Sequence, residues 1–136
     1  MLDKIKEYPQ HRFLFLTKEI NVYDDYKFSQ NCWLGITITN QIKMNFFADR
    51  LFETTFDEKN KIFISIEPIL EEIKLYIKPD WLIIGAETGN RKNKIIPKKE
   101  WIVNLLLAAD KDNIPVFMKD NLKSVWGEDL IQEFPG

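Results

Sequence analysis

Five short runs, apolar at almost every position, punctuate the chain: 12–18 (RFLFLTK), 33–39 (WLGITIT), 62–67 (IFISIE), 81–88 (WLIIGAET) and 116–119 (VFMK). Runs of this length, rich in β-branched and aromatic residues, predict strands covered on both faces, as in a parallel sheet. Between them the apolar period lengthens. Residues 40–52 place Ile42, Phe46 and Phe47 at helical spacing behind a cap at Thr39 or Asn40. Pro97 opens a second helix that carries Trp101, Ile102, Leu105, Leu106 and Ala109 on one stripe, and residues 110–113 with Pro115 close it. A short helix over 2–7 stops before Pro9. The segment 69–77 reads as a helical turn, an extra strand or both. The alternation predicts a single α/β domain over 1–136, its parallel strands alternating with helices.

Strand parity then locates a candidate site. Residues two apart share a face of a strand, so walking back from each polar C-terminal residue yields five sets: Leu16–Lys18, Trp33–Gly35–Thr37, Phe63–Ser65–Glu67, Ile83–Gly85–Glu87 and Phe117–Lys119. Parallel α/β sheets bind ligands at the C-terminal strand ends, in barrels and in open doubly wound sheets alike. Lys18, Thr37, Ser65, Glu67, Gly85, Glu87 and Lys119 are therefore the candidate ligand-binding residues. Small residues at 35, 65 and 85 leave room, and two lysines balance two glutamates. The same four charges also fit a purely structural layer of ion pairs, because an unpaired buried charge is costly. Glu67 and Glu87 are the acids able to serve as a general base or to accept a hydrogen bond from a ligand amine.

The turn from Gly85 through Gly89 to Arg91 (GAETGNR) can aim backbone N–H groups at an anion, which adds Gly89 and Arg91 to the candidates. It is neither a dinucleotide fingerprint nor a P-loop. The cations that follow, over 91–99, read as a solvated loop across the site or as phosphate contacts.

Composition narrows the chemistry. In 136 residues there are 19 basic and 21 acidic side chains, a net charge of −2, and this near balance argues against a nucleic-acid partner. One cysteine, Cys32, excludes an intramolecular disulfide and any multi-cysteine metal or cluster site, and one histidine, His11, excludes sites that need two. No metal site is expected. No apolar run approaches a membrane span of about 20 residues, and the start, MLDKIKEYPQ, is unlike a signal peptide. These readings point to a cytoplasmic protein without a membrane partner.

Six blocks, HRFLFLTK (11–18), NCWLGITITN (31–40), KIFISIEPIL (61–70), DWLIIGAETGNRK (80–92), KKEW (98–101) and PVFMKDNL (115–122), together resemble a family of phage and bacterial proteins labelled phage gp-thirty-seven/sixty-eight. That family is radical-SAM-like and of unassigned substrate. The resemblance implies a (β/α) barrel in which a three-cysteine loop holds a [4Fe–4S] cluster and S-adenosylmethionine lies across the strand ends. Nothing here corresponds to the family's cysteine-rich N-terminal half, and one thiolate cannot replace the several that a cluster needs. The chain thus resembles the C-terminal half of such a domain: a partial barrel of about five strands, with no cofactor expected on this chain and S-adenosylmethionine possible only by resemblance. The expected function is that of a fragment without catalysis of its own. The alternative is a binding module for a nucleoside or an anion on an open doubly wound sheet, and a hydrolase based on Glu67 or Glu87 has the least support. Five strands do not close a barrel, which takes eight. Unpaired edges on the first and last strands are therefore expected to be covered in a homo-oligomer or by a missing N-terminal half.

Overall fold

The computed structural model describes residues 1–53 and 59–136. Its elements run α1 (Leu2–Lys6), β1 (Phe13–Thr17), β2 (Cys32–Thr37), α2 (Gln41–Glu53), β3 (Lys61–Ile66), β4 (Trp81–Ile84), α3 (Lys99–Lys111), β5 (Val116–Met118) and α4 (Lys123–Trp126), with 3-10 turns at Ile20–Asp25 and Asp120–Leu122. All five predicted strands are present. They form one all-parallel sheet in the order β1-β2-β3-β4-β5. Right-handed crossovers that always add the next strand on the same side carry every connection over the same face of the sheet. A doubly wound sheet needs a reversal of strand order, so that alternative is overturned. The sheet has the strand order of a barrel wall, and it stays open because β1 and β5 do not pair.

One face carries the main core. Leu34, Ile36, Ile64, Ile66, Leu82, Ile84, Val116 and Met118 pack there against Met44 and Phe47 of α2 and Ile102, Leu105 and Ala109 of α3. In α3 the predicted stripe faces inward, although Trp101 and Leu106 are only half buried and the helix begins at Lys99, two residues after Pro97. Its end is set by Asn113 in the left-handed region (φ 54°), with the Ile114 N–H returning to the Ala109 carbonyl.

Two expectations need correction. In α2 only Phe47 of the predicted stripe is buried. Ile42 and Phe46 are 79% and 54% exposed, and Met44, Phe47 and Ala48 point inward instead. The short link from buried Ile38 to the Asn40 cap, whose Oδ1 accepts the Lys43 N–H at 2.8 Å, sets the helix rotation. The segment 69–77 is neither helix nor strand. It crosses the core face as irregular chain, anchored by the fully buried Ile69 and Ile73 and by Gln41, which bonds both the N–H and the carbonyl of Lys74.

The other face holds an aromatic layer of Trp33, Phe63 and Trp81, with Ile83 and Phe117 against it. Among the described residues no crossover covers this face. The C-terminal segment does so instead. Phe134 packs on Phe117 and Trp81 at ring-centroid distances of 5.2 and 5.9 Å, the Trp81 indole donates to the Glu133 carbonyl, and Arg12 lies over Trp33 at 4.4 Å. That segment also closes the β5 edge. The Met118 N–H donates to the Ile131 carbonyl and the Glu133 N–H to the Val116 carbonyl, each at 2.8 Å, around an antiparallel bridge between Phe117 and Gln132. The expected free edge on the last strand is therefore absent, and among the described residues β1 alone keeps one. No described helix is long and apolar enough to cross a membrane.

Tyr23 ties β1 to β2 from the core side, its hydroxyl 2.7 Å from the Gly35 carbonyl and 3.1 Å from that of Phe15. Burial pushes the phenol up to about 12. Below the unfolded value of about 10 both states hold the proton and the folded state bears no penalty. Above it only the unfolded chain ionises freely, so stability falls by about 2–3 kcal/mol as pH rises through the folded value. Urea titrations between pH 8 and 12 should show this alkaline loss, and Tyr23→Phe should flatten it; an equally steep loss in the variant would rule Tyr23 out as its source.

Candidate functional site

The strand register carries the predicted polar residues into two rows. Thr37 pairs with Ser65, Ser65 with Ile83, and Ile83 with Phe117. One row further on, the ladder continues beyond the strands: the Gly85 N–H donates to the Ile66 carbonyl (3.0 Å) and the Lys119 N–H to that of Ile84 (2.9 Å). Gly85 therefore sits between Glu67 and Lys119. With no side chain in between, the Lys119 ammonium reaches the Glu67 carboxylate at 2.8 Å. A Cβ at Gly85 would lie 2.9 Å from both Cγ and Cδ of Glu67, so any larger residue there would push the Glu67 side chain from its place beside Lys119. The pair remains partly open to solvent, its Glu67 and Lys119 side chains 26% and 45% exposed. Such pairs contribute about 0–1 kcal/mol to stability.

Around this pair lies a shallow hollow of about 460 Å³, lined also by Thr88, Phe117, Asp120, Asn121 and Gln132. Asn121 fixes its rim. Its side-chain amide accepts from the Ala86 N–H and donates to the Ala86 carbonyl, both at 2.9 Å, as a neighbouring strand would. Gln132, from the C-terminal segment, donates to the Met118 carbonyl and to Asp120. Parity along the strands could not find Asp120, Asn121 or Gln132, because all three lie beyond strand ends; the one available signal was a DN pair directly after VFMK.

The remaining candidates go elsewhere. Ser65 is buried one row below the pair, beside Thr37. Lys18 is exposed and shares with Thr37 and Lys43 a separate hollow of about 300 Å³ at the start of α2. Glu87 turns into its own loop. It accepts from Arg91 Nε (2.6 Å) and Nη2 (3.1 Å) and from the Ile95 N–H (3.2 Å), while Lys94 caps the Gly89 carbonyl. Gly89, at φ 89°, serves the turn that this clasp requires. Of the expected structural pairing only Lys119 with Glu67 forms; the partner of Glu87 is Arg91.

Those bonds, the Arg91 guanidinium first and the Ile95 N–H second, hold the Glu87 carboxyl below the usual range. The clasp is therefore fully formed above the ordinary carboxylate value of about 4.3 and is lost as pH falls below it. Amide exchange at Ile95, followed by NMR, should accelerate on acidification through that window beyond the intrinsic trend. Glu87→Gln should abolish the added pH dependence, and an unchanged profile would show that the clasp does not order the loop.

The cluster implied by the resemblance does not fit. Cys32 is the chain's one cysteine, and it is fully buried in the core on the far side of the sheet from the Glu67–Lys119 pair. Among the described residues no three His, Cys, Asp or Glu side chains gather as a metal site.

Comparison with known proteins adds a family and no activity. No curated protein and no solved structure matches the chain. One family model, that of proteins of unknown function designated DUF5131, matches residues 1–132. That match takes in all five strands, the Glu67–Lys119 pair and Gln132, and on its extent the chain belongs to the DUF5131 family.

Proposed function

We propose that the hollow at the C-terminal strand ends binds a small uncharged or cationic ligand of nucleoside type, and that this chain alone performs no chemistry on it. The observation that carries the reading is the Glu67–Lys119 bridge over Gly85, in a hollow that retains open polar surface. Charge decides between the nucleoside and the anion. Glu67 and Asp120 outnumber Lys119 on the walls, so a ligand of net negative charge such as phosphate would meet a net negative site, whereas Phe117 and the amides suit a flat heterocycle with donors and acceptors at its rim. Three of the basic residues that would favour an anion are engaged elsewhere: Arg91 with Glu87, Lys94 with Gly89, and Lys99 with Glu128 and the Trp126 ring. The sequential strand order supports a barrel-type wall, in keeping with the resemblance to radical-SAM-like proteins, and makes S-adenosylmethionine the first ligand to test.

Titration calorimetry with S-adenosylmethionine, adenosine and inorganic phosphate tests the proposal. A nucleoside should bind and phosphate should not. Glu67→Gln and Gly85→Ala should each weaken nucleoside binding at least about tenfold, while Glu67→Gln shifts stability by about 1 kcal/mol or less. Binding of phosphate alone, or nucleoside binding indifferent to both substitutions, would dispose of this site.

A further inference from the structure

Two further hollows lie away from the strand-end site, along the free edge of β1. The Phe13 N–H donates to the Asn31 carbonyl, so the odd-numbered residues of β1 are those that bond to β2. In a parallel ladder the even-numbered ones then direct their N–H and C=O groups outward. Leu14 and Leu16 thus present a row of backbone donors and acceptors at an edge where the sheet ends, and their side chains are 52% and 55% exposed. Two hollows, of about 600 and 390 Å³, follow one another along this edge. Met1 and Phe15 line both; Leu16, Val22 and Tyr26 extend the first, and Tyr8 and Leu14 the second. The strand itself, FLFLT, carries none of the charges or prolines that usually blunt an edge. The opposite edge is already closed by the chain's own C-terminal segment.

We infer that the β1 edge docks an extended apolar segment of a separate partner protein, added as a sixth strand and flanked by acidic residues. The added backbone would satisfy Leu14 and Leu16, and its alternate side chains would enter the two hollows. Charge selects the occupant. Arg12 and Lys18, both exposed, bracket the edge with the same parity as Leu14 and Leu16; Arg12 is already engaged over the Trp33 ring and with the Pro135 and Gly136 carbonyls, so Lys18, which takes part in no ion pair among the described residues, is the stronger of the two. A second copy paired about a twofold axis at Phe15, the register that centres the edge, would set Leu14 against Leu16 and Arg12 against Lys18, two cation–cation contacts by symmetry, which opposes self-pairing in that register. A strand with acidic ends meets a cation at each end in either direction. This inference is independent of the ligand site.

The test uses the whole chain and two short peptides with a Val-Thr-Val-Thr-Val centre, one flanked by two aspartates at each end and the other by two lysines. Exchange-detected NMR should show the Asp-flanked peptide slowing exchange at the Leu14 and Leu16 amides, with affinity about tenfold above that of the Lys-flanked peptide. Lys18→Glu should reduce or reverse that preference. Leu14→Lys with Leu16→Lys, on a face without helices, should remove binding while the native amide spectrum of β2–β5 persists. No protection at Leu14 and Leu16, or equal affinity for the two peptides, would overturn the inference. So would protection that grows with protein concentration alone, accompanied by dimer in sedimentation, because the occupant would then be a second copy.

Discussion

Gly35→Ala is expected to cost about 3 kcal/mol, roughly 10 °C in Tm for a chain of this size. Gly35 lies in an ordinary stretch of β2, so the demand for glycine there comes from space and not from backbone conformation. The Phe63 ring, from the paired position on β3, lies directly over it. A Cβ at 35 would stand 2.2 Å from Cζ, 2.4 Å from Cε2 and 2.6 Å from Cε1. The ring has little room to retreat, since Trp81 packs on it at a centroid distance of 5.9 Å and Trp81 in turn touches Phe117 and Phe134. Overpacking in such a layer costs about 1–3 kcal/mol, and lost aromatic contacts add to it. Thermal unfolding of Gly35→Ala, of Phe63→Leu and of the double variant separates the causes. If the clash dominates, the double variant should be more stable than the sum of the single losses predicts, with a coupling above about 1 kcal/mol. Additive losses, or an unchanged Tm in Gly35→Ala, would mean that the ring can relocate freely and that the layer is not close-packed.

The five strands were legible because each is a short, almost wholly apolar run, although β1 departs from the expected cover on both faces, its Leu14 and Leu16 being exposed at the sheet edge; parity then placed Gly35, Thr37, Ser65, Gly85 and Lys119 on one face. The errors arose where distant parts of the chain decide. Ile42 and Phe46 satisfy a helical period as well as Met44, Phe47 and Ala48 do, and only the short Ile38–Asn40 link chooses between the two settings. Glu87 shares the parity of a site residue, yet its partners are Arg91 and Ile95, supplied by a loop whose path no period encodes. The closing of the β5 edge depends on residues 131–133, which have no strand-like pattern and pair because Val116 and Met118 offer backbone groups that need partners. Parity put Glu67 and Lys119 on one face without choosing them as partners. The amides that frame the pair required the fold.

Asn121→Ala should be the most damaging single change at the candidate site, with a loss of about 2–3 kcal/mol. Ala86 is buried at the end of β4, and its N–H and carbonyl are both satisfied by the Asn121 amide at 2.9 Å. Removing the amide strands one donor and one acceptor, each at a cost of about 1–3 kcal/mol when buried and less where water can enter from the hollow. Asn121→Asp separates this account from simple loss of packing. At neutral pH the introduced carboxylate can accept from the Ala86 N–H but faces the Ala86 carbonyl with no hydrogen to donate. Once protonated it regains that donor. The folded state therefore raises the pKa of the introduced group, so its stability deficit should shrink as pH falls through that value, whereas the deficit of Asn121→Ala should not change with pH there. Amide exchange at Gly85 and Ala86 should quicken in both variants at pH 7. Because Gly85 provides the gap through which Lys119 meets Glu67, nucleoside affinity should decline along with that local order, and recover at low pH in Asn121→Asp alone. Matching pH profiles for the two variants would assign Asn121 to packing and leave the rim of the hollow to other residues.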